Sequence, residues 1–133
     1  TTTDEVRVYL GLVESNPHET WITAARLLDE AGIAYLSIAE ADWNNSPDLP
    51  EDFRTALRHA FRNPIMYAGR YTAQKAQRML DNHWGDMFGF GRPFIANPDL
   101  PARLQKSLPL NAVDESSMYG GGSNGYTDYP TYS

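Results

Sequence analysis

Ile65-Met66-Tyr67-Ala68-Gly69-Arg70-Tyr71-Thr72 is the stretch that decides the fold. Four apolar residues bounded by turn formers read as a short buried strand. Thr72 can cap a helix whose Ala76, Met79 and Leu80 point inward. Upstream, Asp48-Leu49-Pro50-Glu51 offers a helix cap, and Phe53, Leu57, Ala60 and Phe61 share a stripe that stops before Asn63-Pro64. Further back, Ile33-Ala34-Tyr35-Leu36-Ser37-Ile38-Ala39 reads as a strand buried on both faces. The helix before it opens at Asn16-Pro17-His18-Glu19, a variant of the capping box, turns Trp21, Ala24, Ala25, Leu27 and Leu28 to one side, and stops at Gly32. Downstream, Met87-Phe88-Gly89-Phe90 is a third strand, and Asn97-Pro98 opens a last helix with Leu100 and Leu104 inward, closing near Leu108-Pro109.

The strand starts lie about 32 and 22 residues apart with one helix in each gap, the spacing of βα crossovers and hence of a parallel sheet. Such a sheet normally carries more strands than three and has both faces covered. The chain therefore reads as the C-terminal part of a larger α/β protein, with residues 1–15 as the loop into the first helix. From Ser116 to Ser133 the composition shifts to Gly, Ser and Tyr, with Gly120-Gly121-Gly122 and Tyr119, Tyr126, Tyr129 and Tyr132. By composition this is a flexible tail, yet its tyrosines offer enough apolar area to pin it against the folded body.

The chain has 133 residues and a net charge of −6, so it lacks the excess of Lys and Arg that binding a phosphate backbone requires. With 41% hydrophobic residues it can build a core, and 133 residues hold one domain at most. It contains no cysteine, which removes disulfides, thiol catalysis and Cys-type zinc sites together. No apolar run approaches the roughly 20 residues that span a bilayer. Thr1-Thr2-Thr3-Asp4-Glu5 has no basic-then-apolar leader pattern. The expectation is a cytoplasmic protein with no nucleic-acid or membrane partner.

Ligands of a parallel α/β sheet gather at the strand C-termini. The residues there are Glu40-Ala41-Asp42-Trp43, Gly69-Arg70-Tyr71 and Gly91-Arg92-Pro93. Two consecutive strands thus end in Gly-Arg. Glycine lets an anion approach the backbone N–H groups, and guanidinium forks onto phosphate with two parallel hydrogen bonds. A phosphate site is one reading, and a tight turn beside a solvated or salt-bridged arginine is the other. Glu40 and Asp42 share a strand face and could form a carboxylate pair, although a salt bridge or helix cap accounts for them as well. His18, His59 and His83 show no metal-ligand spacing and read as surface residues, so no metal site is assigned.

Tyr67-Ala68-Gly69-Arg70-Tyr71-Thr72, the run Phe88-Gly89-Phe90-Gly91-Arg92-Pro93-Phe94-Ile95-Ala96-Asn97-Pro98, and Tyr119-Gly120-Gly121-Gly122 followed by Gly125-Tyr126-Thr127-Asp128-Tyr129-Pro130 resemble C-terminal signatures of the Old Yellow Enzyme family. These are FMN-dependent ene-reductases on a (β/α)8 TIM barrel. The resemblance runs from about Asn16 to Tyr132 and implies strands six to eight with their helices. It implies that Gly91 and Arg92 hold the FMN phosphate, that Ala68, Gly69 and Arg70 contribute beside it, and that Tyr119 stands at the rim of the substrate pocket, while Ala41 matches a strand-six position near the ligand. NAD(P)H would reduce the FMN, and the substrate would be an activated alkene. The family's proton-donor tyrosine and its His-x-x-His or His-x-x-Asn clamp belong to strand four. No catalytic residue is therefore assigned to this chain, its partner is expected to be the N-terminal part of the barrel, and the chain alone is expected to be inactive. A dimer is a further partner expectation. A rival reading is a non-catalytic half-barrel that binds a phosphorylated small molecule or a partner chain.

Overall fold

A computed structural model describes residues 17–40, 48–120 and 122–133. The chain forms two compact units, Thr1–Gly89 and Phe90–Ser133. The first contains α1 (Pro17–Glu30), β1 (Leu36–Ala39), α2 (Glu51–Ala60), β2 (Ile65–Ala68), α3 (Ala73–Asp81) and β3 (Met87–Gly89). The three strands pair in the order β1-β2-β3 and are parallel throughout. The register places Ala39 opposite Ala68 and Ala68 opposite Gly89, so the strands end level with one another. The parallel sheet with helices in its crossovers is the architecture that the strand spacing predicts. The expected N-cap at Asn16 and the expected loop over residues 1–15 lie outside the described residues.

Side chains alternate across the sheet. Leu36, Ile38, Ile65, Tyr67 and Phe88 share one face, and Ser37, Ala39, Met66, Ala68, Met87 and Gly89 share the other. The first face meets the helices: Phe53, Leu57, Ala60 and Phe61 of α2 and its end, and Ala76 and Met79 of α3, are buried with Ile65, Tyr67 and Tyr71. Each large side chain so covered contributes roughly 1.5–3 kcal/mol. On the second face Ser37, Ala39 and Met87 are exposed and Met66 and Ala68 half-buried. The expected burial on both faces is therefore corrected: among the described residues, packed side chains cover one face of the sheet.

Three local expectations also change. The strand expected from Ile33 begins at Leu36, because α1 closes with a Schellman motif. Gly32 takes φ +73°, its N–H donates to the Asp29 carbonyl, and Ile33 N–H donates to the Leu28 carbonyl. Asp48 does not cap α2. Pro50 holds the N-cap position without a side-chain bond, and the Asp48 carboxylate accepts from Lys75 Nζ at 2.6 Å instead. On α1 only Ala25 of the expected stripe is buried, whereas Trp21, Leu27 and Leu28 are exposed. That helix turns Asp29 toward the start of the loop after α2, where its carboxylate accepts from Arg62 N–H and Nε at 2.8 and 2.9 Å. Thr72 caps α3 as expected, accepting from Lys75 N–H, while Leu80 is exposed rather than inward.

The second unit holds α4 (Arg92–Ala96) and α5 (Leu100–Lys106), the latter closed by Ser107 at φ 54°. The helix expected to open at Asn97-Pro98 is α5, which starts at Leu100 after an N-cap at Asp99, and the short α4 before it was not expected. Asn97 is fully buried between them, donating from Nδ2 to the Pro93 carbonyl and accepting at Oδ1 from Asn111 N–H at 2.7 Å. The Gly/Tyr-rich tail is tied to α5. Arg103 Nη2 and Asn111 Nδ2 both donate to the Pro130 carbonyl, at 2.8 and 2.9 Å, and Tyr132 N–H donates to Asp99 Oδ2. Gly125, at φ +73°, packs so closely on Ser117 that a Cβ there would overlap the serine side chain. Only glycine combines that backbone angle with that approach.

Candidate functional site

The C-terminal ends of the strands are lined by small residues on the uncovered face. Ala39, Ala68 and Gly89 stand side by side in register, with no side chain larger than a methyl group across three strands. Directly beyond Ala68 the chain turns through Gly69. Its φ is +154°, and a would-be Cβ would approach Glu40 Cβ to 3.1 Å and the Glu40 carbonyl oxygen to 3.2 Å. A side chain at this turn would be strained by that backbone angle and would press on Glu40. Arg70 follows, exposed, and then Tyr71, buried. Ala68, Gly69 and Arg70 are thus brought together at the end of β2 in the first unit.

Gly91 and Arg92 are brought together in the second unit, as the N-cap and the first residue of α4, both exposed. A Cβ on Gly91 would meet nothing within 4 Å. Packing among the described residues therefore does not require glycine there, and the residue leaves the space of a side chain open beside a guanidinium, while its carbonyl accepts from Phe94 and Ile95 N–H. Tyr119 lies in the turn-rich stretch of the same unit with 81% of its surface exposed.

Glu40 belongs to a buried ion pair. Its Oε1 accepts from Arg54 Nη1 at 2.9 Å and from the Tyr71 hydroxyl at 2.6 Å, and its Oε2 accepts from Arg54 Nη2 at 3.0 Å. Lys75 Nζ stands 3.8 Å from Oε2. Burial works against the charge on Arg54, but the hydrogen bonds and charge of Glu40 outweigh it and raise the guanidinium pKa further. Burial and the hydrogen bond to Glu40 together push the Tyr71 hydroxyl well above the usual phenol range. Burial likewise pushes Tyr67 up to about 12, against the opposing charge of Arg54, whose guanidinium lies 5.0 Å from the ring centroid. The salt-bridge reading of Glu40 holds, and Asp42 and Ala41 lie outside the described residues. The sequence reading missed Arg54 and Tyr71. A signal existed: an arginine inside the stripe Phe53, Leu57, Ala60 is a charge on a buried helix face, which demands a buried partner.

The histidines sit apart from these groups. His18 lies against Phe53 with ring centroids 4.7 Å apart, His59 is exposed on α2, and His83 takes φ 58° in the turn after α3. Among the described residues no three His, Cys, Asp or Glu side chains cluster as metal ligands would, and no helix is long and apolar enough to cross a membrane.

Comparison with known proteins places this geometry. The profile of the NADH:flavin oxidoreductase / NADH oxidase family matches residues 9–111. A 12-oxophytodienoate reductase-like protein of Solanum lycopersicum is 34% identical over 122 residues, which is 90% of this chain and 33% of that protein. The solved structure of morphinone reductase superposes with a TM-score of 0.83 at 44% identity, over 92% of this chain and 33% of that one; another structure of the same enzyme holds tetrahydroNAD. The old yellow enzyme homologue of Zymomonas mobilis gives a TM-score of 0.75 at 35% identity, over 89% of this chain and 34% of that one. The chain spans about a third of the length of these relatives. Its parallel sheet is part of the (β/α)8 barrel that they share. The Gly-Arg turn beyond β2 with the small-residue row of its own sheet, the relatives at 34–44% identity and a family profile over residues 9–111 lead to one conclusion: the chain belongs to the NADH:flavin oxidoreductase / NADH oxidase family, the Old Yellow Enzyme flavoproteins, whose cofactor is FMN and whose reductant is a nicotinamide.

Proposed function

We propose that this chain supplies the FMN-phosphate-binding part of an ene-reductase, an enzyme that uses NADH or NADPH to reduce activated C=C bonds such as those of enones, maleimides and nitroalkenes. The observation that carries the reading is the Gly-Arg pair beyond β2 together with the Gly-Arg pair that opens α4, each exposed or half-buried. The residues fit the group. Gly91 leaves the space of a side chain open among the described residues, and the row Ala39, Ala68, Gly89 leaves the sheet's uncovered face low enough for a planar ring to approach. Arg92 is the principal phosphate ligand, since a guanidinium meets phosphate with two charge-assisted bonds, roughly twice as strong as neutral ones. Ala68, Gly69 and Arg70 add backbone and charge, and the exposed Tyr119 ring serves the substrate. Bound FMN would supply hydride transfer from the nicotinamide to the alkene, while the protein orients the reactants. The remaining strands of the barrel would complete the site, and this chain by itself would not turn over.

The test is Arg92→Ala in the complete barrel, with FMN affinity read by flavin fluorescence. Release of FMN is the expected result. An affinity unchanged within about threefold, roughly 0.7 kcal/mol, would remove Arg92 from the phosphate site.

A further inference from the structure

A buried ion pair is a weak source of stability, because desolvation of the two charges offsets most of their attraction. The contacts of Glu40 show what this one fixes instead. Its backbone N–H donates to the Ala68 carbonyl at 2.8 Å, on the strand side of the turn beyond β2. Its Cβ and carbonyl oxygen are the atoms against which Gly69 packs, at 3.1 and 3.2 Å from a would-be Cβ. Its carboxylate takes the Tyr71 hydroxyl at 2.6 Å, on the helix side of the same turn. The residues on either side of Arg70 are therefore both seated on one glutamate, while Arg70 itself is exposed.

Arg54 makes that glutamate immobile. It grips both carboxylate oxygens, donates from Nη1 to the Tyr71 hydroxyl at 3.2 Å, and reaches through Nε to the Leu49 carbonyl at 3.3 Å. An apolar replacement of similar volume could fill this space, but it could not hold Tyr71 by a directed bond. A long arginine side chain loses affinity when its root is loose, because the freedom it gives up on binding grows.

We infer that Glu40, held by Arg54 and acting through Gly69 and Tyr71, is a positioning residue that sets the root of Arg70 for a phosphate group. This rests on the reading of Arg70 as a phosphate-binding residue. The group addressed is the terminal phosphate of a flavin mononucleotide rather than its ring, so the effect belongs to the phosphate and not to the isoalloxazine.

The experiment compares FMN with riboflavin, which lacks the phosphate, by fluorescence titration of the complete apoenzyme as wild type, Tyr71→Phe, Glu40→Gln, Arg70→Ala and the double variant Tyr71→Phe/Arg70→Ala. Tyr71→Phe and Glu40→Gln are each expected to narrow the preference for FMN over riboflavin by about fivefold, the worth of one hydrogen bond. In the Arg70→Ala background Tyr71→Phe should narrow it no further. If Arg70→Ala narrows the preference while both other variants leave it within about twofold of wild type, the positioning role is overturned and the phosphate reading stands. A loss of affinity for FMN and riboflavin by the same factor in Tyr71→Phe is what general loosening would produce, and it also overturns the inference. If Arg70→Ala leaves the preference unchanged, the phosphate reading of Arg70 falls and the inference with it.

Discussion

In the first unit a carboxylate, a guanidinium and a phenol are buried between a strand end and two helices; in the second, a buried amide, a half-buried one and a buried guanidinium lie beneath a stretch with no regular structure. Glu40, Arg54 and Tyr71 bond chiefly to one another. Asn97, Asn111 and Arg103 bond chiefly to main-chain carbonyls of Pro93, Ala96, Pro109 and Pro130. Regular elements satisfy their own backbone groups, so side chains buried among them are available to fix one turn. Irregular chain leaves its carbonyls without partners, and donors must be brought to each.

This contrast can be broken at four points. The largest effect is expected for Arg54→Ala, which strands the Glu40 carboxylate and should lower stability by about 3–5 kcal/mol in denaturant unfolding. A paired Glu40→Leu/Arg54→Met variant should recover most of that loss, which identifies the cost as the unpaired charge. Arg103→Ala should cost less, about 1.5–3 kcal/mol for bonds from a charged donor, and the loss should stay local. Hydrogen exchange would show lost protection over residues 129–132 and unchanged protection in β1 and β2.

The same contact gives a pH signature. The Asp99 carboxyl is held below the usual aspartate range by Tyr132 N–H and then by Arg103. A group whose folded pKa is depressed stabilises fully above its unfolded value, about 3.9, and loses that contribution as pH falls through the lower folded value. Protection of the Tyr132 amide should therefore fade below about pH 4, and Asp99→Asn should abolish that dependence. The smallest effect belongs to Tyr67→Phe. The Tyr67 hydroxyl is buried with no hydrogen-bond partner among the described residues. Its removal should leave stability unchanged or raise it by about 1 kcal/mol. A loss of stability would mean that the hydroxyl has a partner after all.

Legibility in the sequence follows the same division. Elements with a period were readable: the stripe Phe53, Leu57, Ala60, the run Ile65–Ala68, the Thr72 cap and the Gly32 stop all stand where the residues put them. Helix α4 was not readable, because so short a helix carries too little of the helical period to register. Asn97 looked like a helix cap because asparagine before proline usually is one; its burial beside Asn111 depends on chain that has no pattern. At the candidate site, glycine and arginine were visible by type, and the motifs carried the family. The seating of Gly69 and Tyr71 on Glu40 was not visible, since it depends on two strands meeting in one register across an entire helical crossover.

The Glu40 lock has a consequence for the order in which the protein takes shape. Every group in it, from Glu40 through Arg54 and Tyr71 to Lys75, lies within residues 40–75. Their hydrogen bonds need neither the short helices nor the tail, and β3 adds only the packing of Phe88 on the Tyr71 ring, with centroids 5.1 Å apart. On a chain made from its N-terminus, the turn that carries Arg70 can be set as soon as residue 75 has emerged, and folding of this kind through nearby contacts is fast. The remainder of the chain then assembles around an arginine already in place.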